Sequence, residues 1–110
     1  MGEGGVAQIM RQSGFSIIGR NIIFYGITEV DLLCNRANML YAIEVKSCFH
    51  GSDQTILQVM TGRKRQRLRK GARLFNEYYC RGAYEIEMWL AICYFSPSLK
   101  LEKVKFLPLK

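Results

Sequence analysis

The spacing of hydrophobic residues changes several times along the chain, and each change marks an element. Val6, Ile9 and Met10 recur at helical spacing, which predicts a short helix over Glu3 to Ser13, closed by Gly14. From Phe15 to Tyr25 β-branched and aromatic residues dominate, predicting a strand bent around Gly19 and broken by Gly26. Thr28 to Cys34 and Met39 to Ser47 are two further strand-like runs. The turn-forming segment Asn35-Arg36-Ala37-Asn38 joins them into a hairpin. From Gln54 the period lengthens: Ile56, Leu57 and Met60 suggest a helical turn, with Gly62 interrupting it. A longer helix follows over Arg63 to Tyr79, its apolar stripe formed by Leu68, Ala72, Phe75 and Tyr79. Tyr84 to Phe95 reads as a long strand, and Ser96-Pro97-Ser98 turns the chain into a weakly patterned last segment. The expected order is α-β-β-β-α-β with room for one more strand.

Polar residues within the hairpin carry the candidate chemistry. Successive side chains in a strand alternate faces, which puts Glu29 and Asp31 on one side and Val30, Leu32 and Cys34 on the other. Likewise Ala42, Glu44 and Lys46 oppose Ile43 and Val45. With Asn35 paired to Asn38, Asp31 faces Ala42 and Glu29 faces Glu44, so Glu29, Asp31, Glu44 and Lys46 converge on one patch. A slip of one residue separates Asp31 from Glu44. Converging carboxylates repel, and a divalent cation gives them a reason to meet. Hard oxygen ligands suit Mg2+ or Mn2+, which can also hold a phosphate and activate a water. Lys46 beside them can orient that water or stabilise charge on the phosphorus centre. The same alternation fits ordinary polar residues on a half-solvated sheet with a cross-strand ion pair.

Composition narrows the class. With 110 residues, 49% of them hydrophobic and only two prolines, residues 1–110 are expected to form one globular domain. No apolar run approaches the ~20 residues of a membrane helix, and Met1 to Ala7 lacks the features of a secretory signal. A soluble, cytoplasmic protein with no membrane partner is the expectation. Cys34, Cys48, Cys80 and Cys93 contain no close pair and the one histidine is His50, so a zinc site is not expected. A Cys48–His50 catalytic pair is conceivable; reduced structural thiols are the simpler reading.

Charge adds a partner. Lys plus Arg number 16 against 9 acidic residues, a net charge of +7. Arg63, Lys64, Arg65, Arg67, Arg69, Lys70 and Arg73 crowd one helix, and Arg63, Arg67, Lys70 and Arg73 share a face. Such a surface attracts polyanions, nucleic acid foremost, although a basic run on a helix can also be a plain solvated face.

Thr28-Glu29-Val30-Asp31-Leu32-Leu33, a gap, then Ile43-Glu44-Val45-Lys46-Ser47 resembles the YraN-like (UPF0102) family of the PD-(D/E)xK nuclease superfamily, to which archaeal Holliday junction resolvases are related. The likeness extends over nearly the whole chain. Gly2-Glu3 and Ala7 fit an opening G-E-x-x-x-A helix. Gly14, Ile18, Arg20 and Asn21 fit a G-x-x-I-L-x-x-N strand. Thr61, Lys64, Leu68 and Ala72 fit a T-x-x-K-x-x-x-L-x-x-x-A helix, and Tyr84-Glu85-Ile86 stands where the family carries F-D-V. The resemblance implies a restriction-endonuclease-like α/β core with a mixed central sheet flanked by helices. It implies Asp31 and Glu44 as metal ligands, the Val45 carbonyl as a further ligand, Lys46 as the catalytic lysine and Glu3 as an auxiliary acid. Glu3 equally suits the favourable end of a helix dipole. Thr28 and Cys48 depart from the family's glycine and arginine, which bears on substrate grip more than on the triad.

Three functions follow from this reading. The first is a Mg2+-dependent endonuclease hydrolysing phosphodiester bonds in DNA, branched or damaged DNA included, and leaving a 5′-phosphate. Arg63, Lys64, Arg67, Lys70 and Arg73 would contact its phosphates; RNA stays open as a substrate, as does a homodimer suited to a symmetric junction. The second is a non-catalytic nucleic-acid-binding module retaining the fold. The third is a protein-interaction domain whose basic helix docks an acidic partner.

Overall fold

Strands rich in β-branched and aromatic residues pair into one sheet, and the two helices among the described residues pack on its opposite faces. The computed structural model describes residues 2–26, 28–49 and 61–109. In chain order these form α1 (Glu3–Gln12), β1 (Ser16–Phe24), β2 (Thr28–Arg36), β3 (Met39–Phe49), α2 (Gly62–Cys80), β4 (Glu85–Phe95) and β5 (Leu101–Leu109). The five strands lie in sequence order; β3 and β4 run parallel and every other neighbour is antiparallel. The sheet is therefore mixed, and the α-β-β-β-α-β-β order is that of the restriction-endonuclease-like core. No helix among the described residues is long and apolar enough to cross a membrane.

Alternation splits the core into two layers. On the α2 side Leu68, Ala72 and Phe75 pack on Leu33, Leu40, Ala42, Met88, Leu90 and Ile92. On the α1 side Val6, Ala7 and Met10 pack on Leu32, Cys34, Ile43, Ala91 and Cys93. Tyr79, last in the expected apolar stripe, is 71% exposed and lies against the Phe75 ring instead. None of the four cysteines is joined in a disulfide, and three of them are buried. Burial pushes the Cys34 thiol up to about 12.

Two expectations about the strands need correction. The β2–β3 turn lies one residue further along than the Asn35–Asn38 pairing assumed: Arg36 pairs with Met39 and Asn35 with Leu40, so Ala37 and Asn38 form the two-residue turn in place of Arg36 and Ala37. Ala37 adopts a left-handed φ of 55°, the backbone that two-residue hairpin turns demand. This register differs by two residues from the expected one, so each β3 residue keeps its face while its opposite number changes. Asp31 now comes level with Glu44. The second correction lies within β2, where Val30 joins Leu33 on the α2 side while Leu32 and Cys34 face α1. Alternation therefore slips at Asp31. The cause is in the neighbouring strand: Asn21 has a left-handed φ of 50° between the pairs Ile22–Val30 and Arg20–Leu32, and it disrupts the pleat there. The bend foreseen at Gly19 is present as a register shift between Ile17 and Gly19.

The ends of α2 are tied down. The Thr61 hydroxyl accepts from the Lys64 N–H at 3.3 Å and caps the helix, which begins at Gly62. The helical turn expected around Ile56, Leu57 and Met60 falls outside the described residues. At the other end Arg81 takes a left-handed φ and the Gly82 N–H returns to the Asn76 carbonyl at 2.8 Å. Buried Asn76 also donates to the Tyr84 carbonyl and accepts from the Tyr84 N–H, fastening the helix to the start of β4.

Gly71 sets the distance between α2 and the sheet. A Cβ built there would lie 2.6 Å from Val30 Cγ2 and 2.8 Å from Thr28 Cγ2. Gly71→Ala should gain up to about 1 kcal/mol in helix propensity yet lose about 1–3 kcal/mol to overpacking. The expected outcome is a net lower urea midpoint; a raised midpoint would show that the helix lifts off β2 without cost.

Candidate active site

Hydrogen-bonded pairing of β2 with β3 runs from the turn to Leu32–Ile43 and ends there. At the next level the Val45 N–H donates to Asp31 Oδ2 at 2.8 Å, so a side-chain carboxylate stands where a main-chain acceptor would otherwise be. Glu44 and Lys46 project from β3 on the face that carries Leu40 and Ala42, toward α2. Lys46 Nζ lies 3.4 Å from Glu44 Oε1, and both side chains are largely but not wholly buried. Asp31, Glu44 and Lys46 thus meet at one point of the sheet, as expected, through a different register and a slipped β2.

Glu44 feels all of its neighbours. Burial raises its pKa first, the negative charge of Asp31 raises it further, and Lys46 and then Lys64 pull it down; the net shift is upward. Glu44 also lines a cavity of about 200 Å3 with Thr28, Glu29, Lys64, Arg67 and Leu68. Glu29 therefore joins Glu44 despite the slip in β2, and Lys64 reaches the site from the first turn of α2. Leu68 and Ala72, one and two turns further on, anchor the helix in the core.

The remaining basic candidates face outward. Arg63, Arg67, Lys70 and Arg73 are exposed along α2. Arg63, Arg67 and Lys70 line a second concavity of about 330 Å3 with Gly26 and Gln66. Arg67 belongs to both cavities, whereas Arg73 lines neither. Gln66, missed in the sequence reading, is three residues after Arg63 and four before Lys70, a spacing that already put it on their face. Glu3 opens α1 on the other side of the sheet, and its side chain falls outside the description. Its neighbour Gly2 packs against Cys93 and Val45, so the start of α1 abuts the β3 segment that carries the site. Cys48 is buried in the α2-side core, and His50 lies outside the described residues. Trp89 is half-buried, packs on the α1-side core and donates to Glu87 at 3.2 Å.

The donor set fits a hard, hydrated cation. Among the described residues no group of three or more His, Cys, Asp or Glu side chains gathers to form a protein cage. Asp31 and Glu44 supply two carboxylates beside an open cavity, and Mg2+ is commonly held by one or two carboxylates plus waters and substrate phosphate.

A mixed five-stranded sheet carrying a carboxylate pair and a lysine on its central strands defines the architectural class. Within that class the chain belongs to the family described as "Uncharacterised protein family UPF0102", whose profile matches residues 2–94. No curated protein matches the chain at a significant level.

The raised pKa of Glu44 gives a signed prediction. A carboxyl with a raised folded-state pKa weakens the fold as pH climbs from the unfolded value, about 4.3, through the folded one. Glu44→Gln should therefore melt above wild type at neutral pH without divalent cation, with the gap closing below about pH 4. Equal melting temperatures across that range would show that Glu44 carries no such penalty.

Proposed function

We propose that this protein is a metal-dependent endonuclease that hydrolyses phosphodiester bonds in DNA, branched or damaged DNA included. The observation that carries the reading is the meeting of Asp31, Glu44 and Lys46 where β2–β3 pairing ends. Two acids held beside each other at a partly desolvated point oppose their own ionisation, and Glu44 shows it. Membership in the family and the basic face of α2 support the same reading.

Asp31, Glu44 and the Val45 carbonyl are the groups that would hold Mg2+ or Mn2+, and the chemistry it would supply is neutralisation of phosphate charge and acidification of a water. Lys46 stands next to Glu44 and is placed to orient the attacking water and to offset charge that develops on the phosphoryl oxygens. Water oxygen forms a bond to phosphorus as the bond to the 3′ oxygen breaks. The water's proton leaves to solvent, the 3′ oxygen takes up one, and the products are a 5′-phosphate and a 3′-hydroxyl. Lys64 and Arg67 line the cavity and would hold the flanking phosphate by charge, which gives affinity with little sequence preference.

Asp31→Asn keeps an acceptor for the Val45 N–H while removing the charge; Lys46→Ala removes the cation. Each should lower cleavage of a plasmid or four-way junction in Mg2+ by at least about a hundredfold, with DNA affinity at low salt changed by no more than a few-fold. Manganese titration calorimetry should give heat for wild type that Asp31→Asn abolishes. Cleavage undiminished in both variants removes the assignment. DNA binding with neither cleavage nor metal heat would instead identify a non-catalytic binding module.

A further inference from the structure

The second concavity on α2 has a composition that the hydrolytic site does not need. Its lining is Gly26, Arg63, Gln66, Arg67 and Lys70: three cations, one amide and turn backbone, with no carboxylate. At about 330 Å3 it is larger than the cavity that holds Glu44, and Arg67 forms part of both walls. Arg63, Arg67 and Lys70 are three and four residues apart on a helix, so their side chains are neighbours at about 5–6 Å. That spacing suits consecutive phosphates of one strand, each met by its own cation.

The turn that supplies Gly26 also carries an aromatic. Tyr25, next to Gly26 in the β1–β2 turn, is 90% exposed. An isolated exposed tyrosine is unremarkable in itself. In the turn whose Gly26 lines the cationic concavity, it exposes a flat apolar face of the kind on which a base can stack. Cations that track a backbone, combined with an aromatic on which a base can stack, are the two elements of single-strand binding. A paired base inside a duplex has no free face to present there.

We propose that the concavity between the β1–β2 turn and α2 is a subsite for an unpaired stretch of nucleic acid. Arg63, Arg67 and Lys70 hold its phosphates and Tyr25 stacks on one of its bases. The proposal deepens the nuclease reading and rests on it for the position of the cut. Arg67 links the two cavities, so the unpaired nucleotides lie next to the bond that is hydrolysed. The substrate class is then DNA with a single-stranded segment adjoining the cleavage point, such as a flap, tail or gap.

The test compares binding of two fluorescent DNAs, a blunt duplex and the same duplex with a short single-stranded tail, by anisotropy in the Asp31→Asn background, where cleavage is silent. A 2-aminopurine in the tail reports stacking. Wild-type Tyr25 should favour the tailed DNA and quench the probe. Tyr25→Ala should weaken tailed binding about tenfold, leave blunt binding within about twofold and abolish quenching, while Tyr25→Trp should retain both. Arg63→Gln with Lys70→Gln should weaken the tailed DNA more than the blunt one. No preference for the tail, or equal losses on both DNAs in Tyr25→Ala, overturns the subsite. Cleavage by the chain with Asp31 intact is scored separately: cutting without any Tyr25 effect leaves the metal site standing and removes only the subsite, whereas a Tyr25 effect without cutting does the reverse.

Discussion

The contact between the Asp31 carboxylate and the Val45 N–H, 2.8 Å long, joins the sheet to the site. β2 and β3 share a main-chain ladder as far as Leu32–Ile43 and no further. A central-strand N–H deprived of its acceptor in a partly buried setting costs about 1–3 kcal/mol. Asp31 supplies the acceptor from its side chain, and a carboxylate is a stronger one than a carbonyl. The ladder can therefore stop without orphaning Val45, and the space beyond it becomes the cavity that Glu44 lines. One hydrogen bond thereby ends the pairing of two strands and fixes a charged oxygen beside the next carboxylate.

The rest of the site follows from the parallel pairing of β3 with β4. Parallel neighbours need a crossover of a dozen or more residues, usually helical, and α2 is the described part of it. That connection places a strongly basic helix over the face from which Glu44 and Lys46 project. Its rotation is set by Leu68, Ala72 and Phe75 in the core, its distance by Gly71 against Thr28 and Val30, and its end by Asn76 on Tyr84. With rotation fixed, Lys64 falls one turn before Leu68 and reaches the cavity of Glu44, while Arg63 and Lys70 turn outward. The position of each cation is thus a consequence of apolar packing rather than of its own attractions.

Much of this was legible because hydrophobic period and turn chemistry act locally. The order of elements, the hairpin and a helix over Arg63 to Tyr79 with Leu68, Ala72 and Phe75 in its core stripe are patterns of this kind, whereas the cap at Thr61 was not read from them. The β2–β3 register was not legible to better than an even number of residues. Periodicity of two determines a face, and only the left-handed Ala37 in a two-residue turn determines the partner. The slip at Asp31 was hidden for a different reason: its cause, the left-handed Asn21, lies in another strand. The convergence of Asp31 with Glu44 survived because the register error was even. Glu29 reached the cavity even though the strict alternation used to place it does not hold. The link between Gly26 and the basic helix is tertiary, so no local pattern in the chain could reveal it.

The electrostatics of Glu44 couple the parts of the proposed reaction. Burial and the charge of Asp31 oppose its ionisation more than Lys46 and Lys64 favour it. A phosphate entering alone would add negative charge to that point and raise the opposition further. A cation entering alone relieves it, and leaves positive charge that the phosphate can then satisfy. On the proposed reading each ligand therefore improves the site for the other, and by thermodynamic linkage the improvement is reciprocal. Lys46 is paired with Glu44 at 3.4 Å. On the proposed reading Asp31 and Glu44 would hold a divalent ion, whose charge would offset that of Glu44 and leave Lys46 available to the phosphate. The ion pair with Glu44 keeps Lys46 beside the two acids, the position that its proposed role requires.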